Sequence, residues 1–323
     1  MEEQHSQPIT FVAGCAVEAD YFYVAAYPDD YDPSEYIFSY LLAYLGRFGD
    51  DPWAVNTTDK NIVSVCVKKA SLSTGRRLCS LSKEGEVRIF SNKDGSVIEE
   101  KIDEAGVRLG SRGYLTEIRE IGMALYACGY NEQVYRRDDD GTWRLLTAEP
   151  LRIRDVLKDD NIGSLNSIDG TGDTDIYTCG DAGLLYHFDG NRWARIQVRT
   201  EEHLNCVRGV SFDEVWVCGN NGTLLKGNAR SGFVDLSTIN DNDLFWSLTK
   251  FKGQVYIATP GEELFVYDGA TIQPVDTGFP SGLMTYMVDS VPDMLWSFSP
   301  KEIACFDGYK WTRINHPSNP VAD

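Results

Sequence analysis

Basic residues are scarce in this chain: 30 Lys and Arg stand against 49 Asp and Glu in 323 residues, a formal net charge of −19. Nucleic acids and anionic membranes are held by clusters of Lys and Arg, so neither is an expected partner. Apolar runs are short as well. None approaches the roughly 18 residues that a membrane-spanning helix needs, and Met1-Glu-Glu-Gln-His-Ser-Gln-Pro8 carries neither the basic nor the apolar region of a secretory signal. The cytoplasm is therefore the expected location. Histidine is limited to His5, His187, His203 and His316, and no Cys-x-x-Cys pair occurs, so zinc-ligand spacing is missing and no metal or cofactor is expected. There is no Gly-rich phosphate loop, no Gly-x-Ser-x-Gly elbow and no His-Glu-x-x-His.

What the chain does have is a recurring phrase: a hydrophobic strand, a Gly turn, a second strand, then Asp-Gly and an aromatic. One copy reads Ile176-Tyr-Thr-Cys-Gly180, then Tyr186-His-Phe-Asp-Gly190-Asn-Arg-Trp193. Others open Leu125-Tyr-Ala-Cys-Gly129 and Val215-Trp-Val-Cys-Gly219, with looser copies at Leu78-Cys79, Val255-Tyr-Ile-Ala258 and Leu295-Trp-Ser-Phe298. Taking Cys79, Cys128, Cys179, Cys218, Ala258 and Phe298 as anchors, the steps are 49, 51, 39, 40 and 40 residues, and a seventh anchor lies near Ala26. Four short strands with their turns need about 40 residues, the period of a propeller blade. Asp-Gly between two β-branched or aromatic runs is a strong hairpin signal.

The pattern resembles seven-bladed β-propellers of the BNR, kelch and WD40-like kind. The likeness is to the architecture: Asp139-Asp-Gly-Thr-Trp143 and Asp189-Gly-Asn-Arg-Trp193 are degenerate relatives of the BNR Asp-box, no Trp-Asp dipeptide closes the units, and no Gly-Gly pair follows a second strand. It implies an all-β, seven-bladed propeller, one domain over 1–323, with blades at approximately 9–58, 59–103, 104–149, 164–200, 203–238, 243–278 and 282–316. Each blade is expected to be complete in sequence order. Trp143, Trp193 and Trp311, recurring at one register, are expected to pack between blades. The eight cysteines read as buried structural thiols, because neighbouring blades lie about 10 Å apart, wider than the roughly 5.5 Å Cα separation of a disulfide.

Two departures from the period stand out. The segment 28–43 contains Asp32-Pro-Ser-Glu35, an N-cap, a Pro at the first helical position and a Glu three residues on, followed by Ile37, Tyr40, Leu41, Tyr44 and Leu45 at three-to-four spacing. That predicts a short amphipathic helix at about 33–42 in the first blade. The second is 148–163, with Arg152 and Arg154 among apolar residues and Asp159-Asp160 after them. Loops of this length are commonly functional.

Both fall at the end of the blades that also receives Glu201, Glu202, Asp241, Asp243, Glu262 and Glu263. Turn formation explains Asp, but not the adjacent Glu pairs. Exposed aromatics anchor protein interfaces while charges steer association. The expected binding set is therefore Tyr31, Tyr36, Phe38, Tyr40, Arg152, Arg154, Asp159, Asp160, Glu201, Glu202, Asp241, Asp243, Glu262 and Glu263. The functional reading is a non-enzymatic propeller, a monomer on its own, that docks a protein with a basic surface. Propellers with degenerate repeats and acidic faces resemble bacterial immunity proteins that plug a basic toxin; a scaffold subunit of a complex fits the same features. The alternative is a hydrolase with a Ca²⁺-assisted site at the central channel, using Asn166, Asp169, Asn205 and Asp289, since carboxylate and amide oxygens suit that ion.

Overall fold

The computed structural model describes residues 7–32, 36–69, 75–103, 105, 112–147, 163–238, 243–260 and 263–320. Their strands form seven four-stranded sheets at 9–58, 62–101, 115–145, 165–195, 204–235, 247–274 and 287–314, the all-β arrangement of a seven-bladed propeller. Every sheet uses four consecutive strands, so none borrows a strand from the other end of the chain. Among the described residues no helix is long and apolar enough to cross a membrane.

The recurring phrase has a physical cause at each letter. The anchors Ala26, Cys79, Cys128, Cys179, Cys218, Ala258 and Phe298 all lie on second strands and are buried. The second strand is covered on both faces, which favours a small apolar side chain there; where Phe298 stands instead, Gly14 makes the room, since a Cβ on it would meet the ring at 2.6 Å. The Gly after Cys answers a close approach of backbone. A Cβ on Gly129, Gly180 or Gly219 would meet the carbonyl oxygen of Tyr114, Ser164 or His203 at 2.3, 1.9 or 2.2 Å. In the Asp-Gly hairpins the aspartate folds back on the turn: Asp189 Oδ1 accepts from the N–H groups of Asn191 and Arg192, both at 2.9 Å, and Gly190 takes φ +94°. These backbone bonds hold the Asp189 carboxyl below the usual carboxylate range.

The aromatic that closes the phrase is the first residue of the fourth strand and packs on the preceding sheet. Trp143 lies against a cluster holding Leu81 and Ile89 of blade two, and its Nε1 donates to Glu100 at 2.9 Å. Trp193 joins the cluster of Ile121 and Tyr126 of blade three. Trp311 stacks on Phe306, centroids 5.0 Å apart, within the cluster of Phe251 and Tyr256 of blade six. The expected packing role of these rings is what the structure has.

The helix expected at about 33–42 is not formed. Residues 33–35 lie outside the described residues, and Tyr36 N donates to Asp32 O at 2.9 Å, but Ser39–Leu45 is a strand paired on both sides, Tyr40 opposite Ala26 and Thr57. The three-to-four spacing misled because four is also twice the strand period. Tyr40 and Tyr44 share one face of a strand, Leu41 and Leu45 the other. The described helical segments are two three-residue 3-10 turns, Gly46–Phe48 and Asp181–Gly183.

The chain divides into two compact units, one of Met1–Val65 with Thr249–Asp323, the other Cys66–Leu248. In the first, the strand that opens blade one meets the segment after the last strand. Asn319 clamps the start of blade one, donating from Nδ2 to Ile9 O at 2.8 Å and accepting from Ile9 N at 3.1 Å. His316 sits edge-on to Trp53 and Phe11, centroids 4.5 and 5.7 Å away, and its Nδ1 accepts from Ser318 N at 3.1 Å. In the second unit, side chains of first strands bond the backbone of the next first strand: Glu117 Oε2 accepts from Ile168 N at 2.7 Å, Ser167 Oγ from Val207 N at 3.1 Å, and Asp169 Oδ2 from Gly209 N at 3.1 Å.

Two outcomes follow from this packing. Trp311→Ala should lower unfolding free energy by about 3–5 kcal/mol in denaturant titration, as for other buried Trp truncations. Burial depresses the His316 imidazole from 6.5 to about 4. The unfolded chain therefore takes up this proton first, and stability from this group is full above pH 6.5 and lost as pH falls toward 4. The loss is at most about 3 kcal/mol, and His316→Phe should flatten that part of the stability-versus-pH curve.

Candidate functional site

The longest described connection between a second and third strand carries the aromatic part of the expected binding set, in the first unit. Its root is fixed. Asp29 N donates to Pro8 O at 3.0 Å, Thr10 Oγ1 donates to Asp29 Oδ1 at 2.7 Å, and Lys301 pairs with the Asp29 carboxylate. Burial pushes the Asp29 carboxyl up, and the bonds from Lys301 and Thr10 more than offset it, so it ionises below its usual range. Beyond this root the rings form a chain. Tyr31 lies 5.5 Å from Tyr36 and 5.9 Å from Phe38, and Phe38 lies 5.0 Å from Tyr40 in an edge-to-face contact. Tyr31 and Tyr36 are 40% and 57% exposed, with Ile37 beside them at 59%. Asp30 and Asp32 are exposed on the same loop. Glu263, also of this unit, is exposed, with its carbonyl held by Thr259 Oγ1 at 2.7 Å.

The second unit carries Glu201, Glu202 and Asp243. Glu201 is exposed, and Glu202 and Asp243 are half-buried. Their backbones are fixed by Gly183 N to Glu202 O and Gly222 N to Asp243 O, both 2.8 Å. Next to Glu202, the His203 ring nitrogen Nδ1 lies 2.8 Å from Asp181 Oδ1, and Asp181 Oδ2 accepts from Ser164 N at 3.0 Å. Exposed aromatics of this unit escaped the sequence reading, Tyr130 and Trp246 among them. Tyr130 packs edge-on to Tyr114 at 6.0 Å, and Trp246 follows the buried Phe245. The signal for both was an aromatic just outside a strand end, which without register looks like any core residue. Arg152, Arg154, Asp159, Asp160, Asp241 and Glu262 lie outside the described residues.

The residues considered for calcium are committed elsewhere. Asn166 Nδ2 donates to Leu204 O at 3.0 Å, and Asn205 Nδ2 to Phe245 O at 2.9 Å. Asp169 bonds Gly209 N and lies 3.5 Å from Arg119 Nε, while Asp289 accepts from Ala16 N at 3.0 Å. Among the described residues no group of three or more His, Cys, Asp or Glu is arranged to hold a metal ion. Arg119, Asp169, Arg208 and Asp289 occupy one register, opposite the aromatics Tyr126, Tyr177, Trp216 and Trp296 of the second strands. Arg208 reaches back to Glu117 at 3.2 Å. Arg119 and Asp169 thus pair at one register of successive blades, while the Arg208 pair with Glu117 skips the blade between them, so these ions serve structure.

No family model matches the chain. It is 26% identical over 304 residues to the Immune protein Tsi7 of Pseudomonas aeruginosa, across 94% of this chain and 96% of that protein. Among solved structures it is similar to YCF48 bound to D1 peptide, with a TM-score of 0.60 and 14% identity over 94% of this chain and 90% of that one. It is also similar to virginiamycin B lyase from Staphylococcus aureus, TM-score 0.52 and 11% identity over 80% of this chain and 85% of the other. At these identities the two structures share the fold.

Glu117 joins Ile168 N, Arg208 and Arg119. Glu117→Ala removes the carboxylate that Arg208 and Ile168 N share, so it should cost about 3–5 kcal/mol in urea unfolding, with Glu117→Gln losing less because the bond from Ile168 N survives.

Proposed function

We propose that this protein is an immunity protein: a non-enzymatic propeller that binds a protein toxin and blocks it. The observation that carries the reading is the similarity to the Immune protein Tsi7, which runs along 94% of the chain. The fold supports it, since four-stranded propeller blades present loops without needing chemistry of their own. The engagement of the inner-strand carboxylates and amides in backbone and ion-pair bonds argues for this reading over a calcium-assisted hydrolase. The net charge of −19 favours a partner with a basic surface, through faster electrostatically steered association. The eight free, buried cysteines suit a reducing compartment and a cytoplasmic site of action.

The direct test is co-expression with candidate toxins encoded by neighbouring genes. Growth should recover, and the two purified proteins should co-elute as a complex. Killing that proceeds unchanged, with no complex at micromolar concentration, would sink the proposal. Calcium calorimetry separates the alternative: micromolar binding would favour the hydrolase.

Within this reading Tyr31, Tyr36, Phe38 and Tyr40 are the anchors, while Glu201, Glu202 and Asp243 steer. Tyr36→Ala should speed dissociation of the toxin at least about tenfold, about 1.4 kcal/mol. Joint Glu201→Gln, Glu202→Gln and Asp243→Asn should instead slow association and flatten its salt dependence. Surface plasmon resonance at several salt concentrations distinguishes the two.

A further inference from the structure

One constellation in the second unit has no part in the proposed docking role. Cys206, in the first strand Leu204–Ser211 of blade five, and Cys218, in its second strand Glu214–Gly219, are direct cross-strand partners. Opposed residues of an antiparallel pair have Cα atoms about 4.5–5.5 Å apart, inside the roughly 4.4–6.8 Å that a disulfide spans. The wide spacing between blades, which keeps Cys128, Cys179 and Cys218 apart, does not separate two residues of one sheet. A β-bulge between Leu204 and Cys206 sets this register, and a bulge cannot be counted from sequence.

The two thiols are chemically unequal. Burial pushes the Cys206 thiol up, but the Cys218 thiol donates a hydrogen bond to its sulfur, the Arg208 guanidinium lies near, and Leu248 N–H donates as well. Against the opposing Glu117 carboxylate these win, and Cys206 ionises below the ordinary thiol range. Burial and the neighbouring Cys206 drive Cys218 the other way, so it stays protonated. Burial likewise raises Cys128 and Cys179, and Cys305 to about 11. A nucleophilic sulfur in contact with a protonated one is the arrangement of an attacking and a resolving cysteine.

We propose that Cys206 and Cys218 are a peroxide-oxidisable pair that closes reversibly into a cross-strand disulfide within blade five. The Cys206 thiolate attacks hydrogen peroxide, breaking the O–O bond; with one proton the products are a Cys206 sulfenic acid and water. The Cys218 sulfur then attacks the sulfenic sulfur, the S–S bond forms, and a second water leaves with the Cys218 proton. Overall two thiols lose two electrons and hydrogen peroxide becomes two waters. A small neutral oxidant is required, since Cys206 is 2% exposed and Cys218 0%. The pair lies beside Asn205, whose Nδ2 bonds Asn220 Oδ1 at 3.0 Å and Phe245 O at 2.9 Å. Closure would therefore brace the strand ends that support the loop after Gly219.

Peptide mapping of the folded protein tests this. After hydrogen peroxide, catalase and alkylation in denaturant, one linked peptide pair containing Cys206 and Cys218 should appear, cleaved by dithiothreitol, with the other six cysteines alkylated. In Cys218→Ser, dimedone should trap Cys206 at least about tenfold faster than any remaining cysteine, and the wild-type map decides alone should that variant fail to fold. Full alkylation of both residues after peroxide would overturn the proposal. Oxidation spread over all eight cysteines at the rate of global unfolding would overturn it as well.

Discussion

Sheets stacked face to face leave their second strands no contact with water on either side, and the rest of this structure answers that constraint. The second strands of blades three and four, Ala124–Gly129 and Asp175–Gly180, are buried at every position. Such strands need side chains small enough for close stacking, which is why Cys and Ala recur where most sheets would place Val or Ile. Polar backbone at the inner strands must still find partners. Side chains of the preceding blade supply them, as Glu117 does for Ile168 N and Asp169 for Gly209 N in the second unit, and Asp289 for Ala16 N in the first. One set of carboxylates thereby ties sheet to sheet while the apolar faces do the burying.

This division of labour makes the hairpins local and the loops free. Each Asp-Gly turn satisfies itself through its own carboxylate, as Asp268 does with Ala270 and Thr271 N–H at 2.8 and 2.9 Å. The aromatic after it reaches the neighbouring sheet. Nothing in that circuit constrains the connection between second and third strands, so blade one could lengthen there without disturbing its ladder.

The sequence disclosed what repeats and concealed what depends on register. Cys-Gly, Asp-Gly and the closing Trp are legible because each recurs for the same local reason in successive blades. Ser39–Leu45 reads as helix in sequence because Tyr40, Leu41, Tyr44 and Leu45 satisfy both the helical and the extended period, and pairing with two neighbouring strands decides for the extended one. The Arg119–Asp169 and Arg208–Glu117 ion pairs were out of reach for another reason. Bulges between Leu165 and Ser167 and between Leu204 and Cys206 shift the pairing, and a shift of one residue moves every side chain to the other face. The acidic loops were legible as composition; their fixed backbones were not.

A rigid root under an exposed aromatic loop also bears on how a partner would be held. Ordering a loop on binding costs conformational entropy that contacts must first offset. Here Asp29 is already held by Thr10 and Lys301, and the rings of Tyr31, Tyr36 and Phe38 already contact one another. Rings packed on their neighbours lose little further freedom when covered, so more of the apolar burial appears as affinity. In the proposed complex charge would contribute differently: carboxylates on the surface would raise the rate of encounter and be screened by salt, while the rings would set how long the complex lasts. A net charge of −19 thus complements the aromatic loop without duplicating it.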